Sequence, residues 1–295
     1  MPDTGSAKTL VLGGGGAVGI GWQTGLLAGL AEAGLDFTDA GRVIGTSAGS
    51  IVGAFLTSGK QTAGAFDAIS RLGATTTGNQ LRDGSQALMT AMTEAGVGSD
   101  PDAALRKIGG LAAAQDTALD EAAFLGLLDS LRDQPWPETL RTTAIDVVTG
   151  ELRVWGPDDD VNLAQAVAAS CAVPMVFPPI GIHGHRYMDG GALSHLNAAA
   201  AAGADRVLAL SCFPLIPPPG TDEGFAAALQ IAGREIEEVR ATGAVVEAIE
   251  PSPEVFALAG AQGDMLNPQL AEPAHELGHR QARAVLDQVT TAWQS

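Results

Sequence analysis

The chain has 295 residues, of which 46% are hydrophobic, and a formal net charge of −18 at pH 7. This length allows a substantial core. The acidic charge argues against a nucleic-acid binder and against unaided adsorption to anionic lipid, because both need clustered lysine and arginine. The N-terminus lacks the pattern of a signal peptide, and no window of about 18 residues is apolar enough for a membrane span. We therefore expect a cytoplasmic protein.

Strand-like and helix-like runs alternate along the chain. Short apolar runs predict strands at 9–12, 42–45, 140–148, 151–155, 180–188, 206–211 and 254–258. Helical spacing of apolar residues predicts helices at 19–33, 48–58, 162–169, 193–202, 225–248 and 268–291. Alternation of this kind predicts an α/β fold, specifically a three-layer α/β/α sandwich with a mainly parallel central sheet. No repeat or clear linker divides the chain, so we expect one domain over residues 1–295, with a helical insertion at 61–132.

Two tight turns follow the first two predicted strands. The first turn is rich in glycine and includes Gly14, Gly15 and Gly16, and the second contains Ser47 within Gly45-Thr46-Ser47-Ala48-Gly49. Backbone N–H groups at the start of a helix can stabilise a developing anion. A Gly-x-Ser-x-Gly elbow between a strand and a helix exposes its serine hydroxyl. The pattern predicts Ser47 as a nucleophile and the three glycine amides as an oxyanion hole, with an ordinary turn serine as the alternative.

A serine nucleophile needs a base to take its proton. None of the five histidines lies on an obvious loop beyond a late strand. Asp189, by contrast, ends a predicted strand and is followed by Gly190 and Gly191, at the kind of position where an α/β sheet presents its chemistry. A carboxylate within hydrogen-bonding reach can act as a general base, particularly if burial raises its pKa. We therefore predict Asp189 as the base, although it could also simply cap a turn.

Three blocks in this order resemble the patatin-like phospholipases. They are Gly13–Gly19, Gly45–Gly49 and Asp189-Gly190-Gly191, and the segment 169–179 is also similar to the family's segment ahead of the aspartate. The resemblance implies a Ser–Asp dyad without histidine. Ser47 would attack a lipid ester, and Asp189 would take its proton and later activate water, with no cofactor or metal. Val18 stands where the family usually carries Arg or Lys, which weakens the expectation of a phospholipid substrate.

Two other motifs suggest different chemistry. The glycine pattern 14–19 after a strand also fits the dinucleotide-binding fingerprint, which expects an acidic residue at the end of the second strand. Asp36 and Asp39 instead precede that strand. His275 and His279 form a literal HExxH sequence, the zinc-binding pattern of some metalloproteases, but the exposed polar face of a last helix is the preferred interpretation.

The sequence thus predicts a serine acyl hydrolase that cleaves carboxylic esters of lipids, such as a phospholipase A, lysophospholipase or esterase. A catalytically weak module that binds lipid or a partner is the alternative. Peripheral membrane contact would need a local apolar patch or a partner. The apolar residues of the insertion could line an acyl groove or form ordinary helix core, and the candidates are Leu88, Met89, Met92, Phe124 and Leu128.

Overall fold

The computed structural model describes residues 8–59, 63–117, 119–260 and 264–294. Within these ranges a sheet of eight strands occupies the centre of the molecule. Its strands are β1 (Lys8–Leu12), β2 (Arg42–Gly45), β3 (Leu140–Asp146), β4 (Leu152–Trp155), β5 (Ile180–Ile182), β6 (His185–Asp189), β7 (Arg206–Leu210) and β8 (Val245–Ile249). The strand order is β5-β6-β3-β2-β1-β7-β8, and β4 pairs with β3.

Helices account for most of the remaining described chain. They are α1 (Gly16–Glu32), α2 (Ala48–Thr57), α3 (Ala63–Thr75), α4 (Gly78–Ala95), α5 (Pro101–Ala114), α6 (Glu121–Gly126), α7 (Leu163–Ser170), α8 (Glu223–Ala241), α9 (Pro253–Ala259) and α10 (Ala271–Gln294). The helices α3 to α6 lie within the predicted helical insertion, whose Gln61 falls outside the described residues. Among the described helices, none is both long and apolar enough to cross a membrane.

The sheet is parallel at its centre and antiparallel at one side. The pairs β2–β3, β1–β2, β1–β7 and β7–β8 are parallel, whereas β4 and β6 run antiparallel to β3, and β5 runs antiparallel to β6. Consecutive residues of a strand point to opposite faces of its sheet. Leu10 and Leu12 of β1 pack in one apolar cluster with residues of α1, α2 and α10, while Val11 packs in another with residues of α8. The predicted three-layer α/β/α arrangement is therefore confirmed.

Three of the predicted elements are wrong. Residues 193–202 are not an α-helix, because Asn197 adopts a left-handed conformation (φ 51°) and only a 3₁₀ turn follows it. The helix predicted to reach residue 248 ends at Ala241, since Gly243 (φ 95°) reverses the chain into β8. The strand predicted at 254–258 is α9, which begins with Pro253 at a position that favours proline in a helix.

The pair α1–α10 packs unusually closely through small residues. A Cβ atom added to Gly25 would lie 2.0 Å from the carbonyl oxygen of His275, and one added to Gly278 would lie 2.3 Å from that of Trp22. The histidines of the HExxH sequence are therefore on a helix that packs along α1. His279 Nε2 lies 3.0 Å from a carboxylate oxygen of Glu32, and the His275 ring contacts Phe66.

Candidate active site

Ser47 occupies a strained elbow between β2 and α2. Its backbone has φ 51° and ψ −118°, a conformation that is costly for a residue with a Cβ atom. Its backbone is held by hydrogen bonds at both ends: the Ser47 N–H donates to Ser170 Oγ at 2.9 Å, and the Ser47 carbonyl accepts from the Ser50 N–H at 2.8 Å and from Ser50 Oγ at 2.7 Å. A Cβ atom added to Gly49 would lie 1.9 Å from the carbonyl oxygen of Leu12, so glycine is required where α2 crosses β1.

Asp189 ends β6 and is only 3% exposed. Its Oδ1 accepts a hydrogen bond from the Gly191 N–H at 2.7 Å, and its own N–H donates to the Ala172 carbonyl. Strand register brings it near the elbow. Gly45, two residues before Ser47, pairs with residue 142 of β3, and Asp189 pairs with residue 144.

The Ser47 side chain influences the protonation of the Asp189 carboxyl group. Burial raises the pKa of Asp189 to about 7, although hydrogen bonding from the Ser47 side chain and from the Gly191 N–H acts in the opposite direction. A carboxylate with a pKa near neutrality can both accept a proton and return it at ordinary pH. The arrangement is therefore suited to moving a proton from a serine hydroxyl to a carboxylate without a histidine.

If Asp189 acts as a base, kcat/KM should rise with pH until the carboxyl group is fully ionised. Only the ionised carboxylate can accept a proton, so kcat/KM should fall about tenfold for each pH unit below about 7 and level off above it. A rate–pH profile with a soluble, uncharged ester measures this. A profile that is flat through pH 7 would contradict the assignment.

The glycine turn lies directly beside Ser47. A Cβ atom added to Gly14 would be 3.1 Å from the Ser47 Cβ, so the turn and the serine are in close contact. The Gly14 N–H donates to the His195 carbonyl at 2.7 Å, so this amide is already engaged. Within the described ranges, the N–H groups of Gly15 and Gly16 have no such acceptor. Of the three predicted amides, the two at the start of α1 are therefore the ones without a described acceptor.

An apolar cleft opens at Ser47 and contains about 550 Å³ of empty space, its mouth included. Among its walls, Phe124 and Phe177 stack with their ring centroids 4.5 Å apart. The lining residues are Gly16, Ala17, Ile20, Ser47, Ala48, Ile51, Ala68, Ile69, Leu72, Phe124, Leu127, Leu128, Cys171, Val173, Phe177 and Leu266. The lining of the cleft is thus predominantly apolar.

The insertion contributes to this cleft only in part. Phe124 and Leu128 line it, as the groove hypothesis predicts. Leu88, Met89 and Met92 do not; they pack in a separate apolar cluster that includes residues of α5, β3 and α8, so for these three the core interpretation applies.

Cys171 also faces the cleft, next to the serine. Its Sγ donates to the Ser47 carbonyl at 3.3 Å. Burial raises the pKa of this thiol well above its usual range, and the charge of Asp189 acts in the same direction. Because the thiolate is the nucleophilic form of cysteine, Cys171 is a poor competitor for Ser47.

The remaining histidines have other partners. His195 Nε2 lies 2.7 Å from Ser211 Oγ, and burial lowers its pKa to about 3. His185 Nδ1 lies 2.9 Å from a carboxylate oxygen of Asp146, and His183 contacts the Asp160 carbonyl. None of these rings is bonded to Ser47.

The described residues provide no support for the zinc hypothesis or for the dinucleotide hypothesis. Within the described part of the chain, no group of three or more His, Cys, Asp or Glu side chains is arranged to hold a metal ion. Asp36 and Asp39 lie ahead of β2, where Asp39 forms an ion pair with Lys8. A ribose-binding carboxylate would have to lie at the opposite end of that strand.

Sequence reasoning missed the polar residues that support the elbow. Ser170 accepts the Ser47 N–H, and Asn197 donates to Thr46 Oγ1 at 3.0 Å. Thr46 Oγ1 lies in turn 2.8 Å from Thr143 Oγ1. Ser170 falls in the segment 169–179 that was noted for its family resemblance, which was the available signal for it.

The chain belongs to the patatin-like phospholipase family, whose sequence model matches residues 10–202. Comparison with curated proteins gave no significant match. Among solved structures, VipD from Legionella pneumophila is 18% identical with a TM-score of 0.48, over 96% of this chain and 67% of VipD. ExoU from Pseudomonas aeruginosa, solved in complex with SpcU, is 20% identical with a TM-score of 0.42, over 98% of this chain and 53% of ExoU. This chain thus spans about half the length of ExoU.

Proposed function

We propose that this protein is a serine acyl hydrolase that cleaves carboxylic esters of lipids. The observation that carries the proposal is the interaction of the strained Ser47 with the buried carboxylate of Asp189, whose pKa is raised to about 7. Membership of the patatin-like phospholipase family supports the same class of reaction. Ser47 is the proposed nucleophile, Asp189 the proposed base, and the amides of Gly15 and Gly16 the proposed oxyanion hole.

The reaction would proceed in two halves. Ser47 Oγ attacks the ester carbonyl carbon while its proton passes to Asp189, and the two free amides stabilise the anionic oxygen of the tetrahedral intermediate. Collapse of this intermediate breaks the bond to the leaving alcohol, which takes the proton from Asp189. Asp189 then removes a proton from water, which attacks the acyl-enzyme, and the proton returns to Ser47 as the fatty acid leaves. The scheme uses no cofactor or metal.

The lining of the cleft supports an acyl chain as the part of the substrate that binds beside Ser47. This lining is almost entirely hydrocarbon, so it suits an acyl chain rather than a polar head group. The position of the family's usual basic residue is taken by Val18, which is fully buried and donates its N–H to the Met265 carbonyl. Neutral lipid esters therefore fit the proposed site better than substrates that need a cation at this turn.

Filling the cleft should shift the preferred chain length. We expect Leu127→Trp to reduce kcat/KM for a long-chain nitrophenyl ester by about 10-fold or more relative to the acetyl ester, because the added ring occupies space needed by the chain. Leu88→Trp, at a partly buried position away from the cleft, is the matched control. An unchanged ratio in Leu127→Trp would show that the acyl chain binds elsewhere.

The proposed activity is tested with purified protein and three substrate types: short-chain esters, lysophospholipids and diacyl phospholipids. We expect release of fatty acid from at least one of them, dependent on Ser47. Binding of lipid vesicles without release of fatty acid from any substrate would instead favour the lipid-binding module. Fatty acid release that persists in Ser47→Ala would show that the hydrolysis occurs elsewhere.

A further inference from the structure

The segment 190–198, which directly follows Asp189, connects the separate parts of the proposed site. The carbonyl of His195 accepts the Gly14 N–H at 2.7 Å, which holds the glycine turn. Asn197 Nδ2 donates to Thr46 Oγ1 at 3.0 Å and to the Gly190 carbonyl at 3.2 Å. The segment therefore contacts the glycine turn and the residue before Ser47, and its first residue, Gly190, which directly follows Asp189, is hydrogen-bonded to Asn197.

This segment contains only short 3₁₀ turns and depends on side chains for its shape. Ser194 is central, because its Oγ accepts the N–H groups of Leu196 at 3.3 Å and Asn197 at 3.0 Å. A serine hydroxyl has a single proton and two lone pairs. With both lone pairs used, the Ser194 hydroxyl needs an acceptor for its proton.

Glu235 of α8 provides that acceptor. Its Oε2 receives the Ser194 hydroxyl at 2.6 Å and the Ala198 N–H at 3.0 Å. Its neighbours on the helix, Ile236 and Val239, pack in the apolar cluster shared with β1 residue Val11, on the sheet face away from α1. Glu235 thus reaches the segment from the α8 layer, and it is not among the residues that line the cleft at Ser47.

Burial of the Glu235 carboxyl group costs desolvation free energy. Glu235 is 9% exposed, and its described hydrogen bonds go only to the segment. Burial raises its pKa to about 7, and the nearby Glu238 acts in the same direction, while Arg234 and the bonds from Ser194 and Ala198 oppose the shift. An apolar side chain would avoid this desolvation cost. We therefore attribute the presence of a glutamate at position 235 to its hydrogen bonds with segment 190–198 rather than to a gain in stability.

We propose that Glu235 is a positioning residue of the proposed hydrolase, which fixes segment 190–198 and thereby aligns the glycine turn, the Ser47 elbow and Asp189. The inference rests on the proposed function. Misplacement of reacting groups by about 1 Å can cost 10²-fold in rate. Loss of the acceptor should therefore lower kcat while leaving KM, which depends on the cleft, nearly unchanged.

The experiment compares Glu235→Leu with Glu235→Gln on a soluble ester at a temperature well below the unfolding midpoint of each. We expect Glu235→Leu to lower kcat by about 10- to 100-fold with little change in KM. Glu235→Gln keeps an oxygen acceptor and should retain most of the wild-type kcat. It should also keep the pH midpoint predicted for Asp189. Val239→Ala, one turn along α8, controls for destabilisation alone and should lower the unfolding midpoint without lowering kcat.

Unchanged kcat in Glu235→Leu would overturn the inference, and so would equal impairment of Glu235→Gln and Glu235→Leu. If Glu235→Leu does not fold, Ser194→Ala replaces it, because it removes the same connection with a smaller change, and the same kcat criterion applies. These results are separable from failure of the proposed function. If the proposed function were wrong, the wild-type protein itself would show no Ser47-dependent hydrolysis, regardless of the behaviour of the Glu235 variants.

Discussion

Substitution of either member of the proposed Ser47–Asp189 pair should reduce hydrolysis by at least about 10³-fold. Ser47→Ala removes the oxygen that attacks the ester. Asp189→Asn keeps the shape of the side chain and an oxygen that can accept the Gly191 N–H, but an amide cannot take the serine proton. The measurement is kcat/KM of each variant on the best substrate, with folding checked by circular dichroism.

Asp146→Asn is the matched control for the aspartate variant. Asp146 is a second buried aspartate, at the end of β3, but its Oδ1 accepts the N–H groups of Val148 and Thr149 in the hairpin turn. It should keep wild-type activity. If Asp189→Asn also retained near-normal activity, another group would have to be the base, and a histidine would be the first candidate.

Asp189→Asn should also change stability in a direction that depends on pH. The pKa of Asp189 is raised on folding, so the folded protein binds a proton that the unfolded chain releases between its usual pKa of 3.8 and about 7. Stability therefore falls as pH rises through this window, and the cost is complete above it. The variant should have a higher melting temperature than the wild type at pH 8, with the difference disappearing in acid.

The largest effect on stability is expected for Gly49→Ala. The added methyl group would lie 1.9 Å from the Leu12 carbonyl oxygen and 2.7 Å from the Leu12 Cβ, so α2 and β1 would have to separate. Overpacking of this severity against backbone should lower the free energy of unfolding by about 3 kcal/mol or more. Urea denaturation followed by circular dichroism measures this change.

Gly110→Ala is the control for this substitution. Gly110 lies on the exposed side of α5, and a Cβ atom there would meet nothing within 4 Å. Alanine should raise the free energy of unfolding by about 0.5–1 kcal/mol, because glycine is a poor helix former. Equal stability of the Gly49→Ala and wild-type proteins would show that the helix and strand are not packed as described.

Sequence patterns predicted the structure correctly where it depends only on neighbouring residues. The strand 42–45, the elbow after it and the start of α2 at Ala48 match the prediction, because an apolar run, two glycines and a helical run each constrain only neighbouring residues. The strands β3 and β4, which pair as a hairpin, were also predicted, from the two apolar runs at 140–148 and 151–155. The confirmed sandwich follows from the alternation of such elements.

The approach of Asp189 to Ser47 depends on information that no local pattern carries. The sequence argument placed both residues at the ends of strands in a mainly parallel sheet, yet β6 runs antiparallel to β3. The two residues meet because β2 and β6 both pair with β3 in registers that end at residues 142 and 144. Register between distant strands is set by packing and cannot be read from one strand alone.

The failed predictions have a similar origin. Residues 193–202 are rich in alanine and leucine and have helical spacing, but the segment is shaped by Asn197 in the left-handed region and by Glu235, which lies in a distant helix. Likewise, residues 245–249 continue a helix-like pattern but form β8, because β7 offers a parallel edge to pair with. Tertiary partners override local preference in both places.

Mass-spectrometric mapping of a fluorophosphonate adduct tests the central claim most directly. The probe phosphorus bonds to an activated serine oxygen, and fluoride leaves. We expect one adduct in the native protein, on the peptide that carries Ser47, no adduct in Ser47→Ala, and much slower labelling in Asp189→Asn. Absence of labelling in the folded wild-type protein, or an adduct that persists in Ser47→Ala, would contradict the assignment of Ser47 as the nucleophile.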